Sequence, residues 1–169
     1  MSIESAADPL APVWACLSQV PDPEIPVVSI VELGIVRDVC AQGDELVVSI
    51  TPTYSGCPAT SRIMLDVEQA LREGGFSNAK VQRVIAPPWT TDWITEAGRQ
   101  KLKRYGIAPP QGSVQCIGAL MRAKTPARVT CPRCGSDDTQ EVSRFGSTPC
   151  KASYQCRTCL EPFDYFKPF

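Results

Sequence analysis

The sequence predicts an α+β domain of order helix, strand, strand, helix, strand, followed by a small C-terminal ribbon held by cysteines. Three observations carry that expectation. Apolar residues recur at helical spacing over residues 10–20 and 59–71, and β-branched runs bounded by turn residues lie between and after them. Two Cys-x-x-C pairs stand near the C-terminus, outside any periodic segment. The expected divisions are 8–86 for the α+β domain, 87–129 for a helical extension and linker, and 130–169 for the ribbon with an aromatic tail. A chain of 169 residues has room for this but not for a large multidomain enzyme, given roughly 150 residues per domain.

In the first helix Leu10, Val13, Trp14, Leu17 and Val20 share a face, Asp8 is available as N-cap, and Pro21 ends the segment. The loop Pro21-Asp22-Pro23-Glu24-Ile25-Pro26 leads to a strand at Gly34–Cys40, which the turn Ala41–Asp44 joins to a second strand at Glu45–Thr51 as a hairpin. A helix from about Pro58 to Glu73 buries Ala59, Ile63, Val67, Ala70 and Leu71, and Gly74-Gly75 stops it. Residues 79–85 read as the third strand. In the extension, Thr91 or Asp92 caps a helix through Tyr105 that Gly106 ends; Val114–Ile117 reads as a further strand. Trp89 and Trp93 read as core anchors or a partner surface.

Composition removes several function classes. The chain has no histidine, so no Ser-His or Cys-His catalytic pair and no imidazole base can be built from it. The net charge of −1 provides no general field for nucleic acid. No apolar run approaches the roughly 18 residues of a membrane span. The start Met1-Ser2-Ile3-Glu4 lacks a basic region followed by an apolar run, so a soluble protein of the reducing cytoplasm is expected. Nine cysteines there are metal ligands or reactive thiols more readily than disulfides.

Cys131-Pro132-Arg133-Cys134 and Cys156-Arg157-Thr158-Cys159, 21 residues apart, supply four soft ligands from two tight turns. That is the donor set of a zinc ribbon, with a closed, structural Zn2+ site; spacing alone does not separate zinc from iron. Cys150, inside the ribbon, reads as a buried small hydrophobe, with an alternative ligand or redox role left open. Four aromatics in the last seven residues exceed what so small a module buries, so some are expected to face a partner. Residues 131–169 carry five Lys/Arg against five Asp/Glu, which favours a protein partner over nucleic acid.

In Thr51–Pro58, between a strand end and a helix start, Pro58 at the first helical position puts Cys57 at the N-cap. Free N–H groups and the helix dipole there favour a thiolate for metal binding or nucleophilic attack, while an inert thiol is the bland reading. Asp22 and Glu24 can converge on the same spot or simply form the turn.

Asp22-Pro23-Glu24-Ile25-Pro26, Leu33-Gly34-Ile35-Val36, Thr51-Pro52-Thr53 and Gly56-Cys57-Pro58 together resemble the MIP18 (DUF59) family of iron–sulfur assembly proteins across about residues 8–86. With Pro87–Trp93, Tyr105–Pro110, the two knuckles, Phe145–Thr148 and Glu161–Lys167, the chain is similar over nearly its whole length to the PaaD family of the bacterial aerobic phenylacetate pathway. That resemblance implies a protein grouped with 1,2-phenylacetyl-CoA epoxidase, a multicomponent di-iron oxygenase with a separate reductase. Its expected role is to help assemble or repair metal centres, with the oxygenase or reductase components as protein partners.

Family positions fall on Cys57, Asp22 and Glu24, implying a transient iron or iron–sulfur site. Family members commonly end with a cysteine where this chain reads Lys167-Pro168-Phe169. The chain itself is neither oxygenase nor reductase: it lacks the Glu-x-x-His pairs of a di-iron bundle and any Gly-x-Gly-x-x-Gly segment. One thiolate cannot fill a cluster's usual four-cysteine set, so a homodimer, a partner thiol or a small-molecule thiol is expected to complete it.

Two further readings compete. A zinc-ribbon nucleic-acid-binding or regulatory protein has only Lys101, Lys103 and Arg104 as a tight basic cluster. A thiol enzyme using Cys57 has only the helix dipole for activation.

Overall fold

The computed structural model describes residues 8–54, 56–111 and 128–169. The first unit has the expected order: α1 (Ala11–Leu17), β1 (Val36–Gln42), β2 (Glu45–Ile50), α2 (Thr60–Glu73) and β3 (Ala79–Arg83). β1 and β2 form the antiparallel hairpin, turning at Gly43-Asp44 with Gln42 opposite Glu45, and β3 lies parallel on the other side of β2. Parallel strands need a crossover, which α2 supplies. β2 is central and buried from Leu46 to Ile50. Ile63, Val67 and Leu71 of α2, spaced by four, join Val13 and Leu17 of α1 in one core.

α1 is shorter than its apolar spacing predicts. Gln19 and Val20 donate to the carbonyls three residues back, each at 3.1 Å, so the segment tightens into a turn before Pro21. Asp8 still serves the start, its Oδ1 accepting the Leu10 N–H at 3.0 Å.

The extension begins with a 3-10 turn at Thr91–Trp93, capped by Thr90, and continues into α3 (Glu96–Tyr105). Thr95 caps α3, not Thr91 or Asp92: its Oγ1 accepts the Gly98 N–H at 3.1 Å. Gly106 ends it in the left-handed conformation. Trp89 is buried and donates from Nε1 to the Leu33 carbonyl at 2.9 Å, as a core anchor should. Trp93 instead lies 3.3 Å beneath the Arg37 guanidinium, and Arg37 stands at the irregularity that breaks β1 pairing between Val36 and Asp38. Gly34 makes this docking possible. Its φ is +68°, and an added Cβ would lie 2.6 Å from both Trp93 Cβ and Trp93 O, too close for any side chain.

The second sheet comprises β4 (Ile107–Ala108), β5 (Thr139–Ser143), β6 (Lys151–Cys156) and β7 (Pro162–Phe166), ordered β4-β7-β6-β5. β4, from the extension, pairs parallel with β7, so the ribbon sheet is closed by a strand from outside it. The strand expected at Val114–Ile117 lies outside the described residues.

The aromatic tail departs from expectation. β7 packs on both faces: Phe163 and Tyr165 enter the ribbon core with Cys131, Cys156 and Val129, while Phe166, 1% exposed, enters the core of the first unit. Phe169 packs on that same core, stacked on Tyr54 at 6.3 Å between centroids and edge-on to Trp89 at 6.3 Å. The surface that the surplus aromatics cover belongs to the same chain.

Candidate functional site

Two sulfur centres can be built from the residues upward. In the ribbon, Cys131 N–H bonds the Ser136 carbonyl at 2.9 Å and Gly135 N–H bonds the Cys131 carbonyl at 3.0 Å, curling the first knuckle around its two sulfurs. Cys156 N–H bonds the Glu161 carbonyl at 3.0 Å in the second knuckle. Gly135, at φ +77°, and Leu160, at φ +64°, hold the equivalent left-handed positions after each pair. All four Sγ atoms lie within 4.8 Å of one another, with Cys131–Cys159 at 3.8 Å and Cys134–Cys156 at 3.5 Å. A tetrahedron with metal–sulfur bonds near 2.3 Å has edges of about 3.8 Å, so the four thiols fit one ion as they stand. The Cys159 N–H directed at Cys156 Sγ, 3.5 Å away, favours its thiolate and brings it down to about 6.

The second centre lies where the loop after β2 meets the loop after α1. Thr51 N–H bonds the Ile35 carbonyl at 2.8 Å, and Cys57 N–H closes a turn on the Tyr54 carbonyl at 3.1 Å. α2 starts at Thr60 with Ala59 as its cap, so Cys57 precedes the N-cap instead of occupying it. Its carbonyl accepts from Thr60 Oγ1 at 2.9 Å. The expected thiolate does not follow: burial pushes the Cys57 thiol up, Glu24 and Asp22 add to this, and the Ala59 N–H and Thr60 hydroxyl only partly oppose it.

Asp22 is buried, and its Oδ1 accepts from Glu24 N at 2.9 Å and Ile25 N at 2.8 Å. It thus holds the loop that presents Glu24. Burial raises the Asp22 carboxyl, opposed by those two N–H groups and by Lys151. Burial and the neighbouring Asp22 likewise raise Glu24.

Asp22, Glu24 and Cys57 line one small cavity of about 10 Å3, floored by Ile25, Ile35 and Phe166. Cys150 lines it too, 3% exposed, with Sγ 3.0 Å from Thr148 Oγ1 and 3.9 Å from Glu24 Oε2. Cys150 is buried as the sequence predicts, but its place beside Glu24 and Cys57 had no sequence signal beyond being a cysteine surplus to the two knuckles. Sequence reasoning also missed Tyr54. Its buried hydroxyl has no hydrogen-bond partner among the described residues and is pushed up to about 12 by burial and by the charges of Cys57, Glu24 and Cys150. A larger apolar groove of about 220 Å3 adjoins, lined by Pro52, Tyr54, Ile85, Pro88, Trp89 and Phe169. In the basic cluster, Lys101 is paired with Glu32 at 2.7 Å. No helix among the described residues is long and apolar enough to cross a membrane.

Comparison with known proteins covers both centres. Residues 10–82 match a family described as iron–sulfur cluster assembly protein, and residues 119–167 match the PaaD zinc beta ribbon domain. A protein of Escherichia coli K12 that is named as a subunit of 1,2-phenylacetyl-CoA epoxidase is 50% identical over 155 residues, covering 92% of this chain and 90% of that one. An Fe-S protein maturation auxiliary factor of Porphyromonas gingivalis is 33% identical over 88 residues, 51% of this chain and 83% of its own. The solved DUF59 domain from Bacillus anthracis superposes with a TM-score of 0.50 at 33% identity, covering 53% of this chain and 87% of that one.

Proposed function

Because the chain belongs to the PaaD family, whose Escherichia coli relative is named as a subunit of 1,2-phenylacetyl-CoA epoxidase, we propose that it is an accessory protein of phenylacetate degradation that assists assembly of the epoxidase's iron–sulfur or di-iron centres. It works in the cytoplasm with the oxygenase or reductase components as its protein partners. Iron is the cargo, held transiently at Cys57 with Glu24 and Asp22, while Cys131, Cys134, Cys156 and Cys159 hold a resident zinc whose role is to fold the ribbon. The observation that carries this reading is the convergence of Cys57, Asp22 and Glu24 on one cavity within the segment that matches the iron–sulfur assembly family. Its chemistry agrees: a thiol and carboxylates offer iron both soft and hard donors without enclosing it in four thiolates.

Metal analysis after anaerobic reconstitution with iron and sulfide tests the division of labour. Wild type is expected to carry one tightly held zinc and to acquire iron, Cys57→Ser to keep the zinc and lose the iron, and Cys131→Ser to lose the zinc. Iron uptake unchanged in Cys57→Ser, or absent from wild type with every epoxidase component added, removes the cargo-holding role and leaves an adaptor built on a zinc ribbon.

A further inference from the structure

We infer that the outer edge of β3, together with the aromatic groove at its end, is the docking surface for an extended, acidic segment of a protein partner. The segment adds to the first sheet as a fourth strand and seats one aromatic or branched aliphatic side chain in the groove. This goes beyond the proposed function and holds whether or not Cys57 carries iron.

Three observations carry it. The first is a free hydrogen-bonding edge. β3 is the outer strand beside β2, paired over five residues without a break in register. Along a parallel strand, successive residues turn their N–H and C=O groups to alternate sides. The Asn78 carbonyl accepts from Leu46 N–H at 3.3 Å and Val84 N–H donates to the Ile50 carbonyl at 2.8 Å, so the even-numbered residues serve β2. Val81 and Arg83 therefore point their backbone groups outward, with no partner among the described residues. The opposite edge is blunted: β1 breaks register between Val36 and Asp38, and Arg37 there lies over Trp93.

The second is charge. Residues 74–91 carry Lys80 and Arg83 and no acid, and both cations are exposed. Lys80 is paired with Glu45, while Arg83 has no ion pair among the described residues. A second copy of β3 laid along this edge would set cations against cations, whereas an acidic strand would pair with them. The occupant is therefore a different chain.

The third is the groove. Ile85, 65% exposed, follows β3 and lines the groove with Pro52, Tyr54, Pro88, Trp89 and Phe169. At about 220 Å3 it falls below the roughly 300 Å3 at which small-molecule pockets begin, so it takes a side chain and not a whole ligand. Strand addition draws affinity from main-chain hydrogen bonds and specificity from such a pocket. The groove shares Pro52 and Thr53 with the Cys57 cavity, so a docked segment lies beside Cys57.

The test uses the full-length, zinc-loaded protein and two fluorescein-labelled peptides of ordinary strand length, about six residues. One alternates glutamate with valine, the other lysine with valine, and each ends in phenylalanine. Wild type is expected to bind the acidic peptide at least about tenfold more tightly than the lysine peptide, and more weakly as salt rises. Hydrogen exchange of wild type reads the edge without any variant: the acidic peptide should slow the amides of Val81 and Arg83. Arg83→Glu is expected to reverse the preference and Ile85→Ser to weaken both peptides; both positions are exposed, so the thermal midpoint should stay unchanged. No binding of the acidic peptide at millimolar concentration, equal binding of the two peptides, or binding without slower exchange at Val81 and Arg83 overturns the proposal. Slower exchange there on raising the protein concentration alone assigns the edge to a second copy and overturns it too.

Discussion

The four-cysteine cluster and the Cys57 centre lie in one chain and use the same element, yet they are built on opposite plans. In the ribbon, all donors come from two short turns whose backbone hydrogen bonds set sulfur positions before any ion arrives. Around Cys57 the polar and sulfur groups come from the loop after α1, the loop after β2 and the turn before β6, and Glu24 and Cys150 stand 126 positions apart along the sequence. A closed set of local thiolates retains its ion. A mixed set assembled by tertiary packing holds an ion only as firmly as the packing holds the donors. On the function proposed above, the difference in locality would account for a difference in residence.

The largest expected effect on this contrast comes from Phe166→Ala. Phe166 is 1% exposed and bridges β7 to the first core, 6.0 Å from the Trp89 ring. Truncation should cost about 3–5 kcal/mol and loosen the Cys57 cavity, which Phe166 lines, while the knuckles keep their zinc. Thermal unfolding together with zinc and iron content would show this; equal loss of zinc and iron would mean that the two centres are one cooperative unit.

A smaller effect separates the units by pH. Burial alone would raise Glu32, but hydrogen bonds from Lys101 and Ser29 more than offset it and hold the carboxyl below its ordinary range. A depressed carboxyl contributes stability above its unfolded pKa that is lost as pH falls through its folded one. Glu32→Gln should therefore cost about 1 kcal/mol at neutral pH, and the difference from wild type should vanish in acid. A urea titration series from neutral to acid pH measures it, and a gap that persists in acid would assign the effect to packing.

The smallest change is confined to the ribbon. Leu160 is 70% exposed and adopts the left-handed conformation that Gly135 occupies without strain in the other knuckle. Leu160→Gly should raise stability by about 1 kcal/mol, tighten zinc against a chelator and leave iron uptake unaltered. Chelator competition checks it; weaker zinc retention would show that the Leu160 side chain itself supports the knuckle.

What was legible in the sequence follows the same division between local and assembled features. The hairpin, α2 and the two knuckles were readable because their signals are short-range: alternation, apolar spacing of four, paired cysteines followed by a turn residue. The early end of α1 and the start of α2 at Thr60 were not, because in both places a run of turns competes with the helix over a single residue or two. Asp22, Glu24 and Cys57 could be picked out as candidates, but their meeting point could not, since the packing of two loops decides it. Cys150 is buried, as read, but which core it enters was not legible, and the tail aromatics were misjudged for the same reason. Counting apolar residues within 130–169 treats the ribbon as isolated, whereas Phe166, Phe169 and Cys150 pack into or against the core of the first unit.

The span between Glu24 and Cys150 also has a consequence in time. Contacts of long sequence separation form late, because the intervening chain must be ordered first, and a chain leaving the ribosome presents its N-terminal half before the rest exists. The loops bearing Glu24 and Cys57 are therefore made well before the residues that cover them. Until Cys150 and Phe166 dock, the Cys57 cavity lacks two of its walls, so Cys57 is expected to be more open to oxidation in the newly made chain than in the folded protein, where it is half-buried.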